Sequence, residues 1–181
     1  TVVEAKGLTL TPGFIDAHSH HERGMDKDRD ARSAASQGIT TIIVGVDGDS
    51  RSPLADWFAA YAKKPSTINV ASFSGHGTVR KAVMGADYRR LATPDEVKRM
   101  EALVAADMKA GALGLSSGLE YDPGIYSDTA ELVSLAKVAS AAGGIYTSHV
   151  RSEDVALDQA QDEAATIARE AKIRRSEEHT S

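Results

Sequence analysis

The segment Pro12-Gly-Phe-Ile-Asp-Ala-His-Ser-His20 sets two histidines at positions i and i+2 at the end of what reads as a β-strand. Side chains two apart on an extended chain project to the same face, so the imidazoles of His18 and His20 can meet one cation. Imidazole suits zinc, and a catalytic zinc site keeps one position open for water. A bare His-x-His pair also occurs as solvated loop histidines, but the preceding apolar strand favours the metal reading. Asp16 can face the same site or orient a ring nitrogen, whereas His21, at odd spacing, should point away. The chain has no cysteine. Thiolate ligands and disulfides are therefore excluded, and any metal must be held by nitrogen and oxygen.

Five apolar, strand-like runs position these residues and others like them: 13–17, 40–45, 67–73, 112–116 and 144–148. Short, mostly unalternating runs suit strands covered on both faces, as in parallel sheets. Amphipathic helices alternate with them. Thr93-Pro-Asp-Glu96 offers an N-cap, a proline at the first helical position and a capping box, with Gly111 as the stop. Asp128 and Glu131 repeat the capping pattern ahead of Leu132, Leu135 and Val138, and a further helix is expected over 153–171. Serial βα units imply either a doubly wound sheet or a barrel.

The strand ends favour the barrel. His18 and His20, then Asp47, His76, Glu120 with Tyr121, and His149 follow successive strands. A (β/α)8 barrel gathers the C-terminal strand ends around one mouth, where its chemistry sits. A doubly wound sheet would usually carry a Gly-rich phosphate loop, which is absent. The expected fold class is therefore α/β, a partial (β/α)8 TIM-like barrel with about five βα units.

The block 12–20 resembles the first-strand signature of the amidohydrolase superfamily. Gln37-Gly-Ile-Thr-Thr41, Gly75-His-Gly-Thr-Val-Arg80, Gly111-Ala-Leu-Gly-Leu-Ser-Ser-Gly118 and Tyr146-Thr-Ser-His-Val-Arg-Ser-Glu153 are similar to the N-acyl-D-amino-acid deacylase (D-aminoacylase) branch. The blocks cover residues 12 to about 173 in that family's order. The resemblance implies a metal-dependent hydrolase of the metal-hydrolase barrel type, with a small β-sandwich of which residues 1–11 are a remnant. It implies one or two divalent ions, Zn2+ first, and a small N-acyl amino acid as substrate. His18 and His20 match metal ligands, His149 matches a further histidine ligand, and Tyr121 matches a substrate-contacting tyrosine. His76 is assigned to the pocket wall, with support of the third loop as the alternative. Arg151, like Arg80, could fork onto a substrate carboxylate or lie solvated on the surface. The family's acid/base aspartate follows an eighth strand, beyond this sequence, so the catalytic acid/base is unknown here.

One departure bears on the ligands. The family's cysteine-bearing turn after the second strand reads Gly45-Val-Asp-Gly48 here. Asp47, a harder ligand than a thiolate, either takes the cysteine's place or caps the turn. Glu120 either supplies a second anionic ligand or is solvated. A bound cation would acidify water for attack on an acyl carbonyl. Two alternatives stand beside the deacylase: a dihydroorotase-like or isoaspartyl-dipeptidase-like hydrolase, which typically shows lysine where Glu120 stands, and a non-catalytic fragment or metal-binding scaffold.

A net charge of −5 leaves no basic footprint for nucleic acid, and no apolar run is long enough for a bilayer. The ends shape the domain reading. Arg175-Ser-Glu-Glu-His-Thr-Ser181 resembles the conceptual translation of a sequencing adapter, so 175–181 is expected to be a non-native tail. Residues 12–174 then form the barrel part, and the compartment stays open.

Overall fold

The computed structural model describes residues 4–178. Its strands are β1 (Phe14–Asp16), β2 (Ile39–Val44), β3 (Asn69–Ser72), β4 (Ser74–Gly75), β5 (Gly114–Gly118), β6 (Ile145–His149) and β7 (Arg174–Glu178). The helices between them are α1 (Glu22–Met25), α2 (Arg32–Ala35), α3 (Leu54–Lys63), α4 (His76–Met84), α5 (Pro94–Ala110), α6 (Thr129–Ala141) and α7 (Leu157–Ala171). Every strand pair is parallel.

The strands run in the orders β1-β2-β3 and β4-β5-β6-β7. The run expected over 67–73 is one strand with a break at Phe73. Before it, β3 pairs with β2; after it, β4 pairs with β5. Two bonds carry the ladder across the break, Phe73 N–H to the Val44 carbonyl at 3.0 Å and Leu113 N–H to the Ser72 carbonyl at 2.9 Å. The result is an arc whose strand order never reverses. That is the arrangement of a barrel, and it removes the doubly wound alternative, which requires a reversal.

Covering helices form the core. Leu115 of β5 and Tyr146 of β6 are buried against Val79 of α4, Met100 and Val104 of α5, Leu132 and Leu135 of α6 and Ile167 of α7. A second cluster packs Ile42 and Val44 of β2 against Ala34 and Met25, with Trp57 and Tyr61 of α3 alongside. The Thr93 capping box forms in full. The repeat at Asp128 forms only by half: Asp128 accepts from the Glu131 N–H, while the Glu131 carboxylate turns to His76 and Arg80. A charged partner outcompetes a backbone amide for a buried carboxylate.

Two expectations need correction. The first strand is not covered on both faces: Phe14 and Ile15, which project to opposite faces, remain 58% and 64% exposed and join none of the apolar clusters among the described residues. The helix expected from 153 begins at Leu157 instead. Ser152 Oγ bonds Asp154 at 2.9 Å and accepts from Ala156 N–H at 3.2 Å, local bonds that compete with the helical ladder. Residues 175–178, part of the expected terminal tail, run in β7 alongside β6. An open sheet edge offers unpaired backbone groups to any following segment, whatever its side chains. Residues 1–3 and 179–181, parts of the two expected terminal segments, lie outside the described residues, and 4–13 contain no strand. No helix among those described is long and apolar enough to cross a membrane.

Candidate metal centre

The β1–β2 pairing continues past Asp16, with Ser19 N–H donating to the Ile43 carbonyl at 2.9 Å. That extension turns His18 and His20 to one side. Both Nε2 atoms converge on a single oxygen, Asp47 Oδ2, at 3.3 and 3.2 Å. The rings stand edge-on, centroids 5.2 Å apart. One ligand atom from each of the three residues lies within 4.8 Å of the others. Asp16 does not reach a ring; its carboxylate accepts the His18 N–H at 3.2 Å. His21 turns to Ser19 Oγ at 2.7 Å.

Asp47 is held there by its turn. It adopts φ 53°, between Gly45 and Gly48 at positive φ. The left-handed region costs a non-glycine residue about 1–2 kcal/mol, and aspartate is among the few that tolerate it. Ser116 of β5 pins both ends of the turn: its hydroxyl donates to the Gly45 carbonyl at 2.6 Å and accepts from Gly48 N–H at 3.2 Å. Gly118 lets the turn approach. A Cβ there would stand 2.3 Å from the Asp47 carbonyl oxygen and 2.9 Å from the Tyr121 ring.

A second donor group lies across Gly118, whose ladder partner is His149. His149, 4% exposed, sets Nε2 2.9 Å from Glu120 Oε2 and 3.5 Å from Glu153 Oε1. Its Nδ1 is 3.1 Å from the Tyr121 hydroxyl, with the two rings 4.4 Å apart. Burial first, then Asp47, Glu120 and Glu153, push the Tyr121 phenol pKa up. Tyr121 thus senses the carboxylates of both groups. It also lines a cleft of about 420 Å³ together with His20, Asp47, Arg23, Thr78 and Lys81. Two sets of nitrogen and oxygen donors at one end of a parallel sheet suit a borderline cation such as zinc.

The remaining candidates lie elsewhere. His76 is fully buried and absent from the cleft lining; its Nε2 meets Glu131 at 2.7 Å, the supporting role rather than the pocket wall. The cleft is instead lined by the next residues of α4, Gly77 and Thr78. Arg80 is neither solvated nor in the cleft. It is buried, paired with Glu131, and bonds the carbonyls of Tyr88, Arg90 and Tyr126. Arg151 forks onto Glu163, at 2.7 and 2.9 Å, instead of facing the cleft. Glu153 and Ser116 escaped the sequence reading, and Glu131 was read there only as part of a helix cap. The i,i+4 spacing of His149 and Glu153 was the available signal for the first.

Comparison with known proteins places this geometry. The amidohydrolase family model matches residues 1–176. A D-aminoacylase of Alcaligenes xylosoxydans xylosoxydans is 34% identical over 96% of this chain and 40% of its own length. The crystal structure of a D-aminoacylase superposes with TM-score 0.87 at 33% identity, over 94% of this chain and 40% of that one. The N-acyl-D-glutamate deacylase of Bordetella bronchiseptica, solved with zinc and a phosphonate inhibitor, matches at TM-score 0.87 and 34% identity, over 91% and 39%. The chain thus spans about 40% of the length of the relatives it matches. With its parallel arc and its histidine pair after the first strand, the chain belongs to the amidohydrolase family.

Proposed function

We propose that the protein is a metal-dependent hydrolase that cleaves the amide bond of N-acyl-D-amino acids. The observation that carries this is the convergence of His18 and His20 Nε2 on Asp47 Oδ2 at the edge of a cleft. The substrate class follows from the relatives named for D-aminoacylase, N-acyl-D-aspartate and N-acyl-D-glutamate deacylase activity.

In this reading His18, His20 and Asp47 hold one Zn2+, and His149 with its carboxylate partners forms a second donor group for the same or another ion. A bound divalent cation supplies Lewis acidity toward a carbonyl oxygen and toward water. Asp47 contributes the negative charge that keeps the cation in a half-open site. Tyr121, a phenol whose pKa is raised by burial and by nearby carboxylates, keeps its proton and can donate to an acyl oxygen in the cleft. Thr78 and Lys81 on α4 face the same space, where Lys81 offers a cation to a substrate carboxylate.

The chain is read as supplying about five βα units of an eightfold barrel over 12–174, with 1–11 from a small β-sandwich and 175–181 not native. The test is hydrolysis by the whole gene product. Zn2+-dependent release of D-amino acid from N-acetyl-D-amino acids, with no action on dihydroorotate, supports the reading; the reverse preference overturns it.

A further inference from the structure

Resting on the deacylase reading of the cleft, we infer that Arg80 and Arg151 are positioning residues for catalysis. Between them they clamp two consecutive carbonyls, those of Tyr126 and Ile125, in the loop that presents Tyr121 to the substrate. Neither arginine lines the cleft, so both act through the loop.

The loop leaves the end of β5 and returns through a short 3-10 turn, Gly124–Tyr126. Its residues Tyr121, Asp122 and Pro123 line the cleft. It lies tight against the strand end, where a Cβ at Gly124 would stand 2.2 Å from the Gly118 carbonyl oxygen. The last carbonyls of a helical turn find no donor within it and must be satisfied from outside. On one flank Arg80 of α4 donates to the Tyr126 carbonyl at 3.2 Å. On the other flank Arg151, two residues past β6, donates to the Ile125 carbonyl at 3.1 Å. The grip on Ile125 passes directly to the tyrosine, because the Ile125 N–H donates to the Tyr121 carbonyl at 2.9 Å.

Each arginine is itself aimed by a glutamate of the covering helices. Arg80 directs Nη1 to Glu131 of α6 and Nη2 to the carbonyls of Tyr88, Arg90 and Tyr126. Arg151 directs Nε and Nη2 to Glu163 of α7, at 2.7 and 2.9 Å, and Nη1 to the loop. A buried ion pair adds little net stability over a well-packed apolar pair. What a planar guanidinium adds is a rigid fork that serves a carboxylate and a carbonyl in set directions, which the single nitrogen of lysine cannot reproduce. The Arg89–Asp122 pair on the same loop, at 3.4 Å and exposed on both sides, holds it only weakly. The two arginines that read as forks for a substrate carboxylate thus turn the same chemistry onto the backbone.

Fluorine-19 spectra of the whole gene product labelled with 3-fluorotyrosine read the loop directly. Tyr121 is assigned by the signal lost in Tyr121→Phe. Arg151→Lys should shift or broaden the Tyr121 signal and leave that of Tyr61, on α3, in place as the mark of a folded variant. Should Arg151→Lys lose its fold, Glu163→Gln, which keeps an acceptor oxygen without the charge, is read by the same criteria. Turnover of an N-acetyl-D-amino acid supplies the second readout. Tyr121→Phe should lower kcat about 100-fold, and Arg151→Lys should lower it at least about 10-fold. The double variant should be no slower than Tyr121→Phe, since the arginine acts through the tyrosine. Multiplied losses in the double variant, wild-type kcat in Arg151→Lys, or a Tyr121 signal that does not move overturn the inference. A moved signal in an enzyme that hydrolyses no N-acyl-D-amino acid leaves the clamp standing and overturns the deacylase reading.

Discussion

Replacing Glu131 by alanine removes the acceptor shared by His76 and Arg80 beneath the cleft wall. Arg80 is fully buried, and after the change its guanidinium would face only the carbonyls of Tyr88, Arg90 and Tyr126. Stranding one member of a buried ion pair costs about 3–5 kcal/mol. The three carbonyls partly solvate the charge, so the loss should fall near the lower limit, about 3 kcal/mol. With a urea slope of about 2 kcal/mol per molar, the unfolding midpoint, followed by circular dichroism at neutral pH, should drop by roughly 1.5 M. The pH dependence gives a second reading. Burial alone would raise the Glu131 carboxyl, but the His76 hydrogen bond and Arg80 bring it below the ordinary glutamate range. Stability from such a carboxyl is complete above the unfolded value, about 4.3, and is lost as pH falls through the lower folded value. The gap between wild type and Glu131→Ala should therefore be wide at neutral pH and close in acid. A midpoint shift below about 0.3 M at neutral pH would refute the claim that this cluster holds the wall.

Other perturbations have equally definite outcomes. Gly118→Ala drives a Cβ into the Asp47 carbonyl at 2.3 Å, so it should cost about 1–3 kcal/mol and weaken Zn2+ binding together. Calorimetry that finds both unchanged would contradict the role given to Gly118. Asp107 is buried, and burial raises its carboxyl despite bonds from Ser74 and Leu54. A raised carboxyl pKa means the native state binds the extra proton, so this residue lowers stability as pH rises from the unfolded value of about 3.9 through the higher folded one. Asp107→Asn, whose amide oxygen can still accept from Leu54 N–H while its NH2 donates to Ser74 Oγ, should therefore be neutral or stabilising at pH 7, by urea midpoint. The exposed Phe14 and Ile15 of β1 should make the isolated polypeptide self-associate. Ile15→Lys should reduce that association in light scattering without changing helix content.

What could be read from the chain alone was mostly local. The His-x-His pair and the Thr93 capping box each depend on spacing within a few residues, and each has its counterpart in the structure. Contacts between distant segments were hidden. Nothing near Glu131 announces that its carboxylate will leave the helix cap for His76 and Arg80, more than fifty residues earlier in the chain. Ser116 reads as an ordinary strand serine until the Gly45–Gly48 turn folds over it. His76 shows the same difficulty from the other side. Its position at a strand end pointed to the mouth of the barrel, yet it begins α4 and its side chain turns into the interior. A strand end places the backbone at the mouth, but partners elsewhere decide where the side chain goes.

The central claim is that His18, His20 and Asp47 grip a divalent cation. Zn2+ titration of the refolded polypeptide by calorimetry, followed by metal analysis after dialysis, tests it most directly. Tight binding of at least one equivalent, lost in His18→Ala, His20→Ala and Asp47→Ala while helix content is retained, is the predicted result. Equal Zn2+ binding by wild type and all three variants would contradict it.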